Sequence, residues 1–410
     1  MDERSLPPSA PVAVTPVARL HRDLASVRDL WLACEAQGVC NAHQRYGWMA
    51  LVVEHLLALD KSEPLIVELR DAASGAPILL LPLAIRRKAG LTEIVPLSAG
   101  VCDYTAPVLA QPAAYTAEEA RRFWLAVRAA LPKADRLRLD SIPHEIVPGI
   151  PNPLALVDGI QDSALSVSGM ATPGPADTLA ARVFRPSFVK QVGKTRRRLE
   201  ALGTLSFEVA RTPAEVDAMI DQLLHLRLAR FRKLGRFDIL SSPAYGQFYR
   251  QAAHEGLSGG SAQVIGLKLD GDCLALMLNL VHRDVAHGIL IAMDDERARN
   301  TAPGLFMISL AIEQACREGV TYFDFSVGGQ SYKQSVGALS RPFFRLEEVY
   351  SLRGHAMALA DKGAEELRAR LKSNEALYGR LRSWRGKLRC LSHRPAANTA
   401  PDKPRAPDSD

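Results

Sequence analysis

The sequence predicts an α/β protein in which one unit occurs twice, each copy a mixed, mostly antiparallel sheet flanked by helices. Apolar runs alternate between the two-residue period of strands and the helical period of about 3.6 residues. The order of these runs also repeats. Tyr46-Gly47 in a helix precedes LIVEL at Leu65, and Tyr245-Gly246 in a helix precedes VIGLKL at Val264; WLAVRAALPKADRLRLDS from Trp124 parallels ISLAIEQACREGVTYFDFS from Ile308. Finally, 410 residues, 47% of them hydrophobic, suffice for two or three domains with sizeable cores. The copies are expected over 12–145 and 183–352, joined by 146–182, with Asp140 and Asp324 closing comparable strands.

In chain order, residues 1–11 are Pro-rich and polar, a disordered leader. Val27 to Glu35 and Tyr46 to Leu59 carry apolar residues at helical spacing, and His55 on the second reads as a satisfied histidine at the core edge. Leu65 to Leu69 and Ile78 to Ile85 form a hairpin across the turn-rich Asp71 to Pro77. Leu97 to Ala110 is a loop feeding a short strand at Ala106 to Leu109. Its Asp103 and Tyr104 have two readings, substrate contacts or a turn aspartate beside a packed tyrosine. Ala117 to Leu131 is a helix and Arg136 to Asp140 a strand, after which Pro143, Pro148, Pro151 and Pro153 break regular structure.

Residues 154–180, rich in Ser, Gly, Ala and Pro, suit a crossover with short strands. Phe188 to Leu202 is a basic helix whose Lys190, Lys194, Arg196, Arg197 and Arg198 either bind an anion or form a solvated face. A strand, Leu205 to Ala210, and two helices, Pro213 to Phe231 and Pro243 to Glu255, lead to an antiparallel meander of Ala262 to Leu269, Leu274 to His282 and Ala286 to Met293. Asn300 to Gly304 opens the helix Leu305 to Arg317, whose free N-terminal amides suit an anion. Phe343 to Leu352 is a last strand, 353–391 a basic helix packed by its leucine stripe, and 392–410 a disordered tail.

The net charge of +6 is too small alone to imply nucleic acid, although it favours an anionic ligand. Cys34, Cys40, Cys102, Cys273, Cys316 and Cys390 show neither a CxxC pair nor a metal-ligand spacing, so free thiols in a reducing compartment and no metal are expected. With no signal-peptide pattern and no long apolar run, a cytoplasmic location without a transmembrane segment is expected.

The chemistry is expected at Gly319 to Lys333, GVTYFDFSVGGQSYK. Gly328 and Gly329 free the backbone where a strand ends, and Tyr332 and Lys333 place a hydroxyl and an ammonium just beyond. Ligands of open α/β sheets gather at the carboxyl ends of strands. The first copy lacks this extension, so the second copy holds the chemistry and the first supports it.

From RRRLEALG through the meander and NTAPGLFM to FDFSVGGQSYK, the chain resembles the GNAT-type acetyltransferases associated with bacterial cellulose and other polysaccharide synthesis, the CelD/BcsL group. That group is similar in turn to the tandem-GNAT FemABX peptidoglycan aminoacyltransferases. The resemblance is strongest over 183–335. It implies tandem GNAT-like domains and acyl transfer from acetyl-CoA or another acyl-CoA to a sugar-like or amino acceptor, with polysaccharide synthase machinery as a partner. Acyl-CoA would enter between Ala286–Met293 and Tyr322–Val327, a strand amide near Ile291, Ala292 or Met293 would polarise the thioester, and Arg299, Asn300, Thr301 and Gly304 would hold the pyrophosphate. The phosphate loop departs from the family pattern: RARNTAPG has one glycine and a proline.

Under the resemblance Asp324 serves as base or acceptor-orienting group, Tyr332 protonates the leaving thiolate and Lys333 positions an anion; Asp324 has a second reading as a buried acid paired with Lys333. Acceptor contacts would come from Asp103, Tyr104, Gly328 and Gly329, and anion contacts from Lys194, Arg197 and Arg198. The alternatives are aminoacyl transfer from tRNA, the only reading that brings in nucleic acid, and a non-catalytic accessory role.

Overall fold

The structure, a computed structural model, describes residues 14–88, 90–294, 296–297, 301–328 and 331–373. Arg299, Asn300, Gly329, the leader 1–11, the 374–391 part of the basic helix and the tail 392–410 lie outside the described residues. The strands are β1 (Pro16–His21), β2 (Ser62–Asp71), β3 (Pro77–Lys88), β4 (Leu91–Pro96), β5 (Val108–Leu109), β6 (Arg136–Ile142), β7 (Glu145–Val147), β8 (Ile150–Pro151), β9 (Gln161–Ala171), β10 (Leu205–Val209), β11 (Ala262–Leu269), β12 (Asp272–His282), β13 (Val285–Met293), β14 (Tyr322–Val327) and β15 (Leu339–Val349). The helices are α1 (Arg28–Gln37), α2 (Tyr46–Leu51), α3 (Ala117–Ala130), α4 (Leu179–Val183), α5 (Pro186–Glu200), α6 (Pro213–Lys233), α7 (Pro243–Gly256), α8 (Pro303–Arg317), α9 (Ser331–Val336) and α10 (Leu352–Ser373).

One 13-stranded mixed sheet runs through the molecule in the order β1-β2-β3-β4-β6-β15-β9-β14-β13-β12-β11-β10, with β5 beside β3. The order is symmetric about the β15–β9 pair. On one side β1 to β4 are antiparallel and β4 runs parallel to β6; on the other β10 to β13 are antiparallel and β13 runs parallel to β14. The predicted α/β class with a mixed, mostly antiparallel sheet flanked by helices is the observed one.

The two central strands are exchanged. β9 follows β6 in sequence but pairs with β14, and β15 follows β14 but pairs with β6. The 146–182 stretch therefore supplies an eleven-residue strand at the middle of the sheet, longer than the short strands expected there. Its polar composition fits its place, since Gln161, Asp162, Ala164 and Leu165 stay exposed and burial begins near Ser168.

β6 and β14 end in the same bulge. Leu139 opposes Leu346 and Ile142 opposes Phe344 across β15, while Asp324 opposes Gly169 and Val327 opposes Val167 across β9. In each, the serine before the last residue has positive φ, 58° at Ser141 and 56° at Ser326, the unpaired residue that a bulge inserts. The structural counterpart of Asp324 is thus Leu139, and the sequence comparison that sets Asp140 beside Asp324 is one residue out of register.

A single apolar core joins the copies on one face: α1 and α2 meet α6 and α7, with Trp48 edge-on to Phe248 at 4.8 Å. Polar bonds reinforce it. Arg283 donates to the Gly38 and Glu35 carbonyls, Tyr245 to Ala99 O at 2.9 Å, and His55, in the helical turn Val52–Leu57 that continues α2, meets Gln251 at 2.7 Å, the satisfied histidine that its spacing suggests. The opposite face of the second copy is covered by α5 and α8.

Candidate functional site

Parallel strands β13 and β14 are paired only at Val285–Tyr322, Ala286–Phe323 and His287–Asp324, and then separate. β13 runs on to Met293 with its far edge unpaired by β14. Arg227 of α6 donates to the Ile291 carbonyl at 3.4 Å. The N–H and C=O of a strand residue point to the same side, so the Ile291 amide also faces the gap. Ala292 is buried and Met293 half-buried. A bulge between Leu278 and Asn279 of β12 shifts the phase of β13 just past His287 and bends the strand away.

Gly304 lies in the first turn of α8, where an added Cβ would stand 2.5 Å from Met293 Cε. The helix N-terminus therefore sits against the end of β13. Pro303 occupies the first helical position, where no amide is needed, and Thr301 just before it is buried. Lys194, Arg197 and Arg198 are exposed on α5, the helix packed on α8, and Arg196 pairs with Glu200.

At the apex of the gap the two copies meet. Asp324, 6% exposed, takes the Ser326 amide on Oδ1 at 2.6 Å. His287, opposite it in register, places Nδ1 at 3.8 Å from the same oxygen. From the first copy, Tyr104 brings its ring to 5.4 Å from His287, and its hydroxyl stands beside Asp324. His43 packs 5.3 Å from both Tyr104 and His287.

Burial and the Asp324 charge push Asp103 up from the ordinary carboxylate range, opposed by Ser326. Burial, then Asp324, holds the Tyr104 phenol well above its usual value. Burial and the neighbouring His287 keep the His43 imidazole well below its own.

Lys333 is buried and donates from Nζ to Ser326 O at 2.8 Å and Val327 O at 3.3 Å. Burial pulls its pKa down to about 8, against the pull of Asp324 and Asp103. The ammonium thus clamps the bulge carbonyls and is not directly paired with Asp324. Tyr332 is half-buried on the opposite face, 6.3 Å from Phe325, its phenol raised to about 12 by burial. Gly328, with φ of 121°, turns the chain out of β14 and its amide reaches Ser166 O.

The structure thus brings Asp103, Tyr104, Asp324 and Lys333 together, and sets Ile291, Thr301 and Gly304 along the neighbouring gap. His43, His287 and Ser326 belong to the same cluster and are absent from the sequence reading. The available signal was a histidine inside the strand-like run Ala286 to Met293, whose partner only the register discloses. Among the described residues no group of His, Cys, Asp or Glu has the geometry of a metal site, and no helix is long and apolar enough to cross a membrane.

The corresponding gap of the first copy, between β4 and β6, opens after Ile94–Leu137. A cavity of about 800 Å³ there is lined by a charged network. In it Arg136 bonds Glu93 through Nε at 2.8 Å, Glu347 at 3.1 Å and Asp361 of α10 at 2.8 Å.

Residues 186–334 match the acetyltransferase (GNAT) domain family. No curated protein matches the chain. Among solved structures, the crystal structure of FemX superposes with a TM-score of 0.55 at 12% identity over 80% of this chain and 96% of that one. The C-terminal domain of a protein described as a lysylphosphatidylglycerol synthetase from Agrobacterium fabrum gives 0.51 at 13% identity over 83% of this chain and 96% of that one. At such identities the likeness bears on the fold alone.

Proposed function

We propose that the second copy transfers an acyl group from acyl-CoA, acetyl-CoA in the simplest case, directly to a hydroxyl or amine of a sugar-like acceptor. The observation that carries this is the parting of β13 from β14 immediately after His287–Asp324, which leaves a strand edge free to bond a pantetheine arm beside a buried acid. The Ile291 amide faces that gap and supplies a donor for the thioester oxygen. The α8 N-terminus, with Thr301 and Gly304, receives the pyrophosphate; Arg299 and Asn300 are assigned to the same role from the sequence.

The acceptor lies between the copies, against Asp103, Tyr104 and the turn at Gly328. Its X–H proton passes to the Asp324 cluster as X bonds the thioester carbon; the C–S bond breaks, and the thiolate takes a proton from Tyr332, whose raised phenol is protonated at neutral pH. Lys333 holds the bulge that aims Asp324, and Lys194, Arg197 and Arg198 steer the anionic donor. A place in bacterial polysaccharide assembly, beside the synthase machinery, is our assignment of context.

Calorimetry with acetyl-CoA followed by turnover across an acceptor panel tests this. Binding by the wild type and a loss of about 10²–10⁴ in rate for Asp324→Ala are expected, with a smaller loss for Tyr332→Phe. Full activity in both variants would sink the residue assignment, and no heat at millimolar acetyl-CoA would favour an accessory protein. The exposed basic face of α5 favours a second reading, aminoacyl transfer from tRNA. Under it, RNA binding weakens steeply with salt and aminoacyl-tRNA replaces acetyl-CoA as donor.

A further inference from the structure

A small cavity of about 50 Å³ lies on the side of Asp324 away from the α5–α8 face, walled by Asn41, Tyr104, Glu145, His287, Tyr322 and Arg341. That volume admits one or two water-sized groups. Its inner wall is unusual. His287 is 2% exposed with neither ring nitrogen hydrogen-bonded, and Tyr104 is 4% exposed with an unpartnered hydroxyl. Buried polar atoms without partners are costly to keep, so a protein that holds two such side chains around one cavity has a polar group to put there. We propose that this cavity receives the reacting X–H group of the acceptor, and that His287 takes its proton while Asp324 orients the imidazole.

The geometry divides the labour. Asp324 Oδ1 faces Nδ1 of His287 at 3.8 Å, so the tautomer with hydrogen on Nδ1 leaves the Nε2 lone pair for the acceptor. The second ring, His43, is wholly buried, and burial, then His287, holds its imidazole well below the ordinary value. The charged and titratable groups around His287 are Asp324 on β14, Asp103 and Tyr104 on the loop after β4, His43 from the turn before α2, and His282 on β12.

In the step itself the acceptor's X–H bond gives its proton to Nε2 and its electron pair to the thioester carbon. The C–S pair leaves with sulfur, and the imidazolium returns its proton to solvent after product departs. Asp324 acts through His287 and is a positioning residue. At the mouth, Glu145 and Arg341 form an ion pair at 2.9 Å that an acceptor has to pass.

The proposal rests on the acyl-transfer reading, and two measurements on the full chain keep their failures apart. In the first, kcat/KM for acetyl-CoA and the best acceptor is followed against pH for wild type, His287→Gln and Asp324→Asn. His287→Gln is expected to lose about 10²–10⁴ and the acidic limb of the profile, with acetyl-CoA affinity unchanged. In the second, the ring nitrogens of His287 are observed by nitrogen NMR in histidine-labelled wild type and Asp324→Asn, with no substrate present. Hydrogen is expected on Nδ1 in the wild type and on either nitrogen in the variant, because the carboxylate facing Nδ1 has been removed. Wild type that neither binds nor turns over acetyl-CoA defeats the acyl-transfer reading, while the tautomer still decides the coupling. An unchanged tautomer in Asp324→Asn, or His287→Gln within threefold of wild type with an unaltered pH profile, overturns the proposal.

Discussion

Lys333 shows how one residue ties stability to the site. Its ammonium is buried yet, among the described residues, bonded only to two backbone carbonyls, Ser326 O and Val327 O, so charge and burial oppose each other. The folded pKa of about 8 lies below the ordinary lysine value of 10.5. Between those values the unfolded chain binds more protons than the folded one, and stability rises with pH across the window. Below about pH 8 the buried charge opposes folding. The full difference is of order 3 kcal/mol. Lys333→Met removes the titration, so the stability of wild type relative to the variant, from urea midpoints, should increase between pH 7.5 and 10. A flat difference over that range would mean that the ammonium is hydrated in solution.

At the level of the element, the exchanged strand β9 positions Asp324 from below. Gly169 is the partner of Asp324 across the strands, and an added Cβ there would stand within 2.5 Å of the Tyr322 ring carbon Cζ. Tyr322 lines the small cavity. Gly169→Val should therefore destabilise by about 1–3 kcal/mol through overpacking and displace Tyr322, lowering turnover more than acetyl-CoA affinity; equal losses in both would place the damage in the gap instead. The sequence shows how little of this was readable. The meander β11 to β13 and helix α3 were legible because each has one strong period, with Asp270-Gly271-Asp272 marking the turn and Phe123, Trp124 and Val127 marking one face of α3. β9 was not, because its outer half stays exposed and its neighbours are rich in proline and glycine. β1 and β4 are six-residue strands that declare themselves only through β2, β3 and β6. Asp324, Tyr332 and Lys333 stood out as polar groups at a strand end. His287 did not, since it becomes interesting only when the parallel register sets it opposite Asp324, and register between β13 and β14 is a property of the folded sheet.

The whole molecule inherits a consequence from the strand exchange. The sheet is completed across the copies: residues 183–352 alone would leave β14 without β9, and residues 12–145 alone would leave β6 without β15. The shared core around Trp48 and Phe248 adds apolar area to the same junction. Two copies coupled this closely should unfold as one cooperative unit, unlike beads joined by a linker. The tryptophans make this measurable, because Trp31, Trp48 and Trp124 all belong to the first copy and the fourth is Trp384 near the C-terminus. In a protein carrying Trp48→Phe, Trp124→Phe and Trp384→Phe, the remaining indole, Trp31, packs against Tyr46 and its fluorescence reports the first copy, whereas far-UV circular dichroism reports both. The two urea transitions should coincide in midpoint and slope. Fluorescence and dichroism midpoints that separate would show that the copies unfold one at a time. The exchanged pair β9–β15 would then be too weak to transmit loss of structure, and the acceptor site proposed between the copies would open by their parting.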